Sequence, residues 1–163
     1  MVPERHLQVL RELTTRLADA PFPWAVTGSL GMALQGVPVD VHDVDIQTDR
    51  AGAYAIASLF SGQVALPVQF RSSERVQSHF GALTIHGVKV DVMGDLQKRL
   101  SDGTWEDPVR VEEHRQWVQV AGMRVPVLSL AYEYRAYLLL GRVEKAALLR
   151  EWLRKQGRDP EAR

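Results

Sequence analysis

An α+β fold, a mixed β-sheet with helices packed on it and a helix pair at the C-terminal end, is predicted by three features of the sequence. Apolar residues recur at helical spacing near the N-terminus and again over the last third of the chain. Between these stretches apolar and polar residues alternate with the period of two that a half-buried strand requires. The resulting order is helix, strand, helix, strand, helix, several strands, then two helices, which suits a sheet covered by helices.

Leu7, Val9, Leu10, Leu13 and Leu17 predict an amphipathic helix over residues 3–19, with Pro3 suited to its first turn. Pro21 and Pro23 end it. Trp24 to Thr27 reads as a strand that meets Gly28-Ser29, and Leu30 to Gln35 reads as a short helix closed by Gly36. After a loop, Val41 to Ile46 alternates as a second strand, with Val44 and Ile46 on one face and Asp43 and Asp45 on the other. Asp49 is a candidate cap for a helix from Ala51 to Phe60. Val64 to Phe70 reads as a strand, and Phe80 to His86 with Val88 to Met93 as a hairpin turning at His86-Gly87. In its second arm Val88, Val90 and Val92 oppose Lys89, Asp91 and Met93. Residues 94–108 are expected to be a loop with a helical piece around Leu96 to Leu100. Weaker strand signals follow at Val109 to Val111 and Trp117 to Val120, and Gly122 turns the chain into Met123 to Val127. Ser129 can cap a helix running to Leu140, where Gly141 breaks it. The last helix, Val143 to Lys155, is expected to turn Val143, Ala147, Leu148 and Trp152 or Leu153 inward.

With 163 residues, the chain is read as a single domain over residues 1–156, followed by a polar, frayed tail over 157–163. Apolar residues make up 45% and charged residues 25%, ordinary values for a folded protein. The absence of cysteine excludes disulfides, thiolate metal sites and a cysteine nucleophile. Lys plus Arg and Asp plus Glu are equal at 20 each, so no overall positive field suggests a protein that coats nucleic acid. No apolar run is long enough for a membrane span. The first residues lack the basic stretch and apolar block of a secretory signal, so a cytoplasmic location is expected.

The chemistry is concentrated in a few positions. Gly28-Ser29 lies where a strand meets a helix, and such a junction offers backbone N–H groups to a phosphate. Asp43 and Asp45 share one strand face, and Asp91 lies on the polar face of a later strand. Side-by-side carboxylates repel one another, and a divalent cation removes that cost. Mg²⁺ suits such oxygen ligands and commonly shares them with substrate phosphates. Each feature has a plain reading when taken alone. Gly-Ser is an ordinary turn and cap, and a lone Asp is a solvated strand residue. His42-Asp43 could suggest a metal phosphohydrolase, but the other histidines show no matching spacing.

Together, Thr27-Gly28-Ser29, then Asp43-Val44-Asp45-Ile46, then Val90-Asp91-Val92 resemble the motifs of the nucleotidyltransferase fold superfamily, of the polymerase-beta kind. Small stand-alone bacterial members with unassigned substrates are the most similar. Thr27 stands where an apolar residue is usual. The resemblance implies a nucleotidyltransferase fold in which Asp43, Asp45 and Asp91 bind Mg²⁺ (or Mn²⁺) and act in catalysis. Gly28 and Ser29 would hold the phosphates of a nucleoside triphosphate, with ATP the expected donor. A nucleoside monophosphate would pass to a hydroxyl acceptor with release of pyrophosphate. Relatives place a Lys before the Gly-Arg pair seen here as Gly141-Arg142. Tyr137 occupies that place, Glu144-Lys145 replaces the pair that follows, and Arg135 is a candidate substitute cation.

Neutral charge makes a small molecule or a protein the expected acceptor rather than long nucleic acid. Residues 128–156 are too few to enclose a large acceptor pocket, so a homo-oligomer or a helical partner protein is a candidate contributor. The alternative function is a non-catalytic, antitoxin-like module that binds a nucleotide or a partner and retains the fold. Keeping all three carboxylates argues against it.

Overall fold

The computed structural model describes residues 1–161; the last two residues of the expected tail lie outside the described residues. Seven strands form one sheet: β1 (Trp24–Thr27), β2 (Val44–Thr48), β3 (Val64–Ser72), β4 (Val76–Ile85), β5 (Val88–Lys98), β6 (Arg115–Val120) and β7 (Met123–Leu128). Their order is β3-β4-β5-β2-β1-β7-β6. The sheet is mixed. β1 runs antiparallel to β2 and parallel to β7, and β2 runs parallel to β5.

The helices are α1 (Glu4–Arg16), α2 (Gly28–Leu34), α3 (Arg50–Leu59), the one-turn α4 (Val111–His114), α5 (Leu130–Leu139) and α6 (Val143–Lys155), with a 3₁₀ turn at Ser61–Gln63. The expected caps form. Gly52 N–H donates to Asp49 at 2.7 Å, and Tyr132 N–H donates to Ser129 Oγ at 3.1 Å. Such caps typically contribute about 1 kcal/mol each.

Strand alternation divides the core between the two faces of the sheet. Val26, Val44, Ile46, Val90 and Val92 pack with Val9, Leu10 and Leu13 of α1 and Ile56 of α3. On the other face, Ala25 and Leu128 meet Val111, Tyr132 and Ala136. A third cluster joins Met32 of α2 to Tyr134 and Tyr137 of α5 and to Ala146, Leu149 and Leu153 of α6. β1 is central and covered on both faces, which explains why Trp24 to Val26 is a continuous apolar run.

Several boundaries differ from the sequence expectation. β2 starts at Val44 rather than Val41, because its partner strand ends at Thr27, opposite Asp45, where the chain turns into α2. Residues 94–98 continue β5 instead of forming a loop with a helical piece, and Val76 pairs with Lys98 at the far end. Gly94 permits this, since a Cβ there would stand 2.6 Å from the carbonyl oxygen of Asp49. Val109 and Arg110 form no strand, and Val111 opens a helical turn that feeds β6. α6 buries Ala146, Leu149 and Leu153, while Val143 is 70% exposed and Leu148 38% exposed. The reason is that α6 meets α2 and α5 rather than the sheet, which rotates its inward face.

Both tight hairpins have positive φ at two successive residues, His86-Gly87 (51° and 75°) and Ala121-Gly122 (48° and 77°). This is the turn twist that antiparallel strands favour. Beyond α6, Arg158 N–H donates to the Leu153 carbonyl at 2.8 Å, and the Tyr134 hydroxyl donates to Glu161 at 2.9 Å. Among the described residues no helix is long and apolar enough to cross a membrane.

Candidate active site

The site begins with a row of three residues across the sheet. Thr27 of β1 pairs with Asp45 of β2, and Asp45 pairs with Asp91 of β5. Paired residues on neighbouring strands project to the same face. Because the flanking Val44, Ile46, Val90 and Val92 are committed to the α1/α3 core, the pleat directs Asp45 and Asp91 to the opposite face. Strand spacing brings them side by side, with backbones about 4.8 Å apart. Asp43 stands exposed in the bend before β2. As the side chains stand, it completes no cage with the other two. Among the described residues no three His, Asp or Glu side chains are grouped to hold a metal ion.

Burial pushes the Asp45 carboxyl up to about 7, and the negative charges of Asp91 and Asp43 push in the same direction, with Lys89 opposing. Burial also raises Asp91, partly offset by Lys89, whose Nζ lies 3.5 Å from Oδ1. That Asp91 oxygen is buried and accepts no hydrogen bond.

Gly28 lies against this pair. Its φ is +70°, and a Cβ on it would stand 2.5 Å from Asp45 Oδ2. The turn from β1 into α2 therefore passes directly over the carboxylate, and only glycine fits both the backbone angle and the space. Ser29 is the second residue of α2. Its Oγ accepts from the His42 N–H at 3.0 Å, tying the turn to the loop that carries Asp43. The structure thus brings Gly28, Asp45 and Asp91 together, sets Ser29 beside them, and leaves Asp43 at the rim.

Glu133 escapes a reading of the motifs, and the cations Arg142 and Lys145 enter that reading only as departures from the relatives' pattern. Glu133 of α5 is buried beneath the turn and accepts from the Thr27 hydroxyl. Burial raises its carboxyl to about 7, with the Thr27 hydroxyl and the Gly28 backbone opposing that shift. The available signals were the hydroxyl at Thr27 and a lone acid within Leu130-Ala131-Tyr132-Glu133-Tyr134. Arg142 and Lys145 lie over the Tyr137 ring, at 5.6 and 5.5 Å from its centre. Burial and the Arg142 charge lower Lys145, while the negative charges of Asp45 and Glu133 oppose that shift. Gly141 to Lys145 line a cavity of about 390 Å³. Arg135, the candidate substitute cation, instead lines a cavity with Glu113, His114 and Arg115.

Raised carboxyl groups fix the sign of a pH effect. The folded state holds the Asp45 and Glu133 protons more tightly than the unfolded chain does. Stability from this source is complete below pH about 4 and is lost as pH rises through about 7. In the presence of EDTA, Tm is expected to fall between pH 5 and pH 8, and Asp45→Asn to flatten the decline. A wild-type Tm that is level or rises over that range would contradict the stated environments.

A mixed sheet that sets a Gly-Ser turn over paired aspartates defines a nucleotidyltransferase. The chain belongs to the aminoglycoside-2″-adenylyltransferase family, whose model matches residues 9–151. A Thermotoga maritima protein, TM1012, provisionally assigned as a nucleotidyltransferase, is 56% identical with a TM-score of 0.84, over 95% of this chain and 96% of that one. Two adenylyltransferases share the fold at low identity. The lincosamide antibiotic enzyme LnuA, solved with lincomycin, is 14% identical with a TM-score of 0.53, over 91% of this chain and 97% of its own. ANT(2″)-Ia, solved with adenylyl-2″-tobramycin, is 11% identical with a TM-score of 0.56, over 91% of this chain and 89% of its own. No curated protein matches the chain.

Proposed function

We propose that the protein transfers a nucleoside monophosphate, with ATP as donor, to a hydroxyl of a small polyhydroxylated molecule and releases pyrophosphate. The observation that carries this reading is the register of Asp45 with Asp91 directly beside the Gly28 turn. The family and the antibiotic acceptors named for LnuA and ANT(2″)-Ia favour a small-molecule acceptor.

The donor set suits a divalent cation. Asp91 offers a buried oxygen without a hydrogen bond, and Asp45 is a carboxylate crowded by its own kind. Asp45 and Asp91, with Asp43 at the rim, would hold Mg²⁺ or Mn²⁺, since hard cations prefer oxygen ligands. The bound cation supplies charge stabilisation to the phosphoryl oxygens in an in-line displacement. The chain's own groups do the rest. Ser29 has a hydroxyl hydrogen to donate to a phosphate oxygen, because its bond with His42 uses only a lone pair. Arg142 and Lys145 face the developing charge on the pyrophosphate. Asp91 accepts the proton of the attacking hydroxyl as oxygen bonds to the α-phosphorus and the bond to the bridging oxygen breaks.

Arg142 and Lys145 lie at the start of α6, and Leu138, Val143 and Leu148 on α5 and α6 are exposed apolar residues. A second copy of the chain, or a helical partner, would complete the acceptor side there.

The test is pyrophosphate release from Mg²⁺-ATP with a panel of aminoglycosides and lincosamides, run alongside light scattering to fix the assembly that is active. Binding of ATP without turnover across the panel would favour the non-catalytic module. Before any acceptor is known, Mg²⁺ plus ATP is expected to raise Tm relative to EDTA. A ligand at a hundred times its Kd stabilises by about 2.7 kcal/mol. Identical melting in the two conditions would remove the metal-nucleotide reading.

A further inference from the structure

Glu133 sits where a carboxylate is costly. It is 3% exposed, and its hydrogen-bond partner is the Thr27 hydroxyl rather than a cation. Thr27 and the Gly28 that follows it turn β1 into α2 over Asp45. With no Cβ, the Gly28 backbone is packed against the Asp45 carboxylate, so a small shift of the turn moves it relative to the metal ligands. Glu133 is also on α5, one helical turn before Tyr137, whose ring carries Arg142 and Lys145. One side chain therefore joins the sheet-borne half of the site to the helix-borne half.

We infer that Glu133 is a positioning residue: it fixes the Thr27–Gly28 turn at the height over Asp45 that nucleotide binding requires, and it links that turn to α5. It touches neither the donor nor the acceptor. This inference rests on the reading of the turn as the phosphate seat, and its test has one arm independent of that reading.

The independent arm is amide hydrogen exchange followed by NMR on the full chain without nucleotide. In Glu133→Ala, exchange at Gly28 and Ser29 is expected to speed up at least tenfold while the core amides of β2 and β5 keep their wild-type protection. Glu133→Gln retains an acceptor oxygen and is expected to restore most of the protection. Thr27→Val removes the hydroxyl alone and serves if Glu133→Ala does not fold; it is expected to speed exchange at Gly28. Unchanged exchange at Gly28 in these variants, or an equal acceleration throughout the sheet, would overturn the positioning role. The second arm is a titration with a fluorescent ATP analogue and Mg²⁺. Glu133→Ala is expected to weaken binding at least tenfold and Glu133→Gln to recover it. Wild-type affinity in Glu133→Ala would overturn the inference. Failure of the wild-type protein to bind at all would remove the nucleotide reading, and the exchange arm would still decide whether Glu133 holds the turn.

Discussion

Asp45→Asn is expected to abolish nucleotide transfer while leaving the fold intact and, without metal, as stable as wild type or more so. The substitution keeps the volume and removes one negative charge from a site where Asp91 and Asp43 already repel it. In the proposed reaction that charge helps hold the cation that stabilises the transition state. The loss should therefore fall on the chemical step, by at least the 10²–10³-fold typical of removing one preorganised electrostatic group. Paired measurements of Tm and turnover decide the matter. A structural carboxylate would give the opposite pattern, early melting with activity spared, and that result would sink the catalytic role of Asp45. Asp43→Asn is a useful companion. Asp43 is exposed at the rim, so a smaller loss is expected than at Asp45.

Gly28→Ala should damage both stability and activity. The left-handed backbone at +70° costs a residue with a Cβ roughly 1–2 kcal/mol. The new methyl would also stand 2.5 Å from Asp45 Oδ2, so either the turn or the carboxylate must move. Displacement of about 1 Å at a reacting centre can cost roughly 10²-fold in rate, and a loss of that size is expected. Gly122→Ala separates the two causes. It has a similar φ of +77° in the β6–β7 turn but nothing within 4 Å of its would-be Cβ. It should show the backbone cost in Tm and leave turnover near wild type. Full activity in Gly28→Ala would mean that the turn is not part of the site.

Alternation made the motif strands readable. Val44 and Ile46, and Val88 to Val92, are apolar at every second position because one face of each strand enters the α1/α3 core. The carboxylates follow by default onto the other face. The partnership of Asp45 with Asp91 is a different matter. It depends on β2 and β5 pairing in parallel with a register that local sequence does not encode. The outer half of β5 escaped because it lies in polar company. Gln97 is bonded by Gln77, and buried Lys98 pairs with Glu106 at 2.7 Å and donates to the Tyr132 hydroxyl at 3.1 Å. Such residues satisfy one another and leave no apolar period to read. Glu133 was invisible for a related reason. Its meaning comes from α5 crossing the sheet face, and periodicity within α5 cannot report what lies underneath. The inward face of α6 was misassigned because its partners are helices rather than the sheet.

The pairing of β1 with β7 joins Val26 to Val127, about a hundred residues apart in the chain, whereas β3, β4 and β5 are joined by short turns. Closing a loop of that length carries an entropic cost that must be met before its contacts return any free energy, and such closures slow folding. The local meander can assemble early, while the strand that ends at Thr27, just before Gly28, acquires its outer neighbour late, together with α5. A chain emerging from the ribosome can therefore display its aspartates well before Glu133 arrives to set the turn above them. Competence to bind nucleotide should appear as the final event of folding, after most secondary structure has formed, and should be lost first when the C-terminal third comes away.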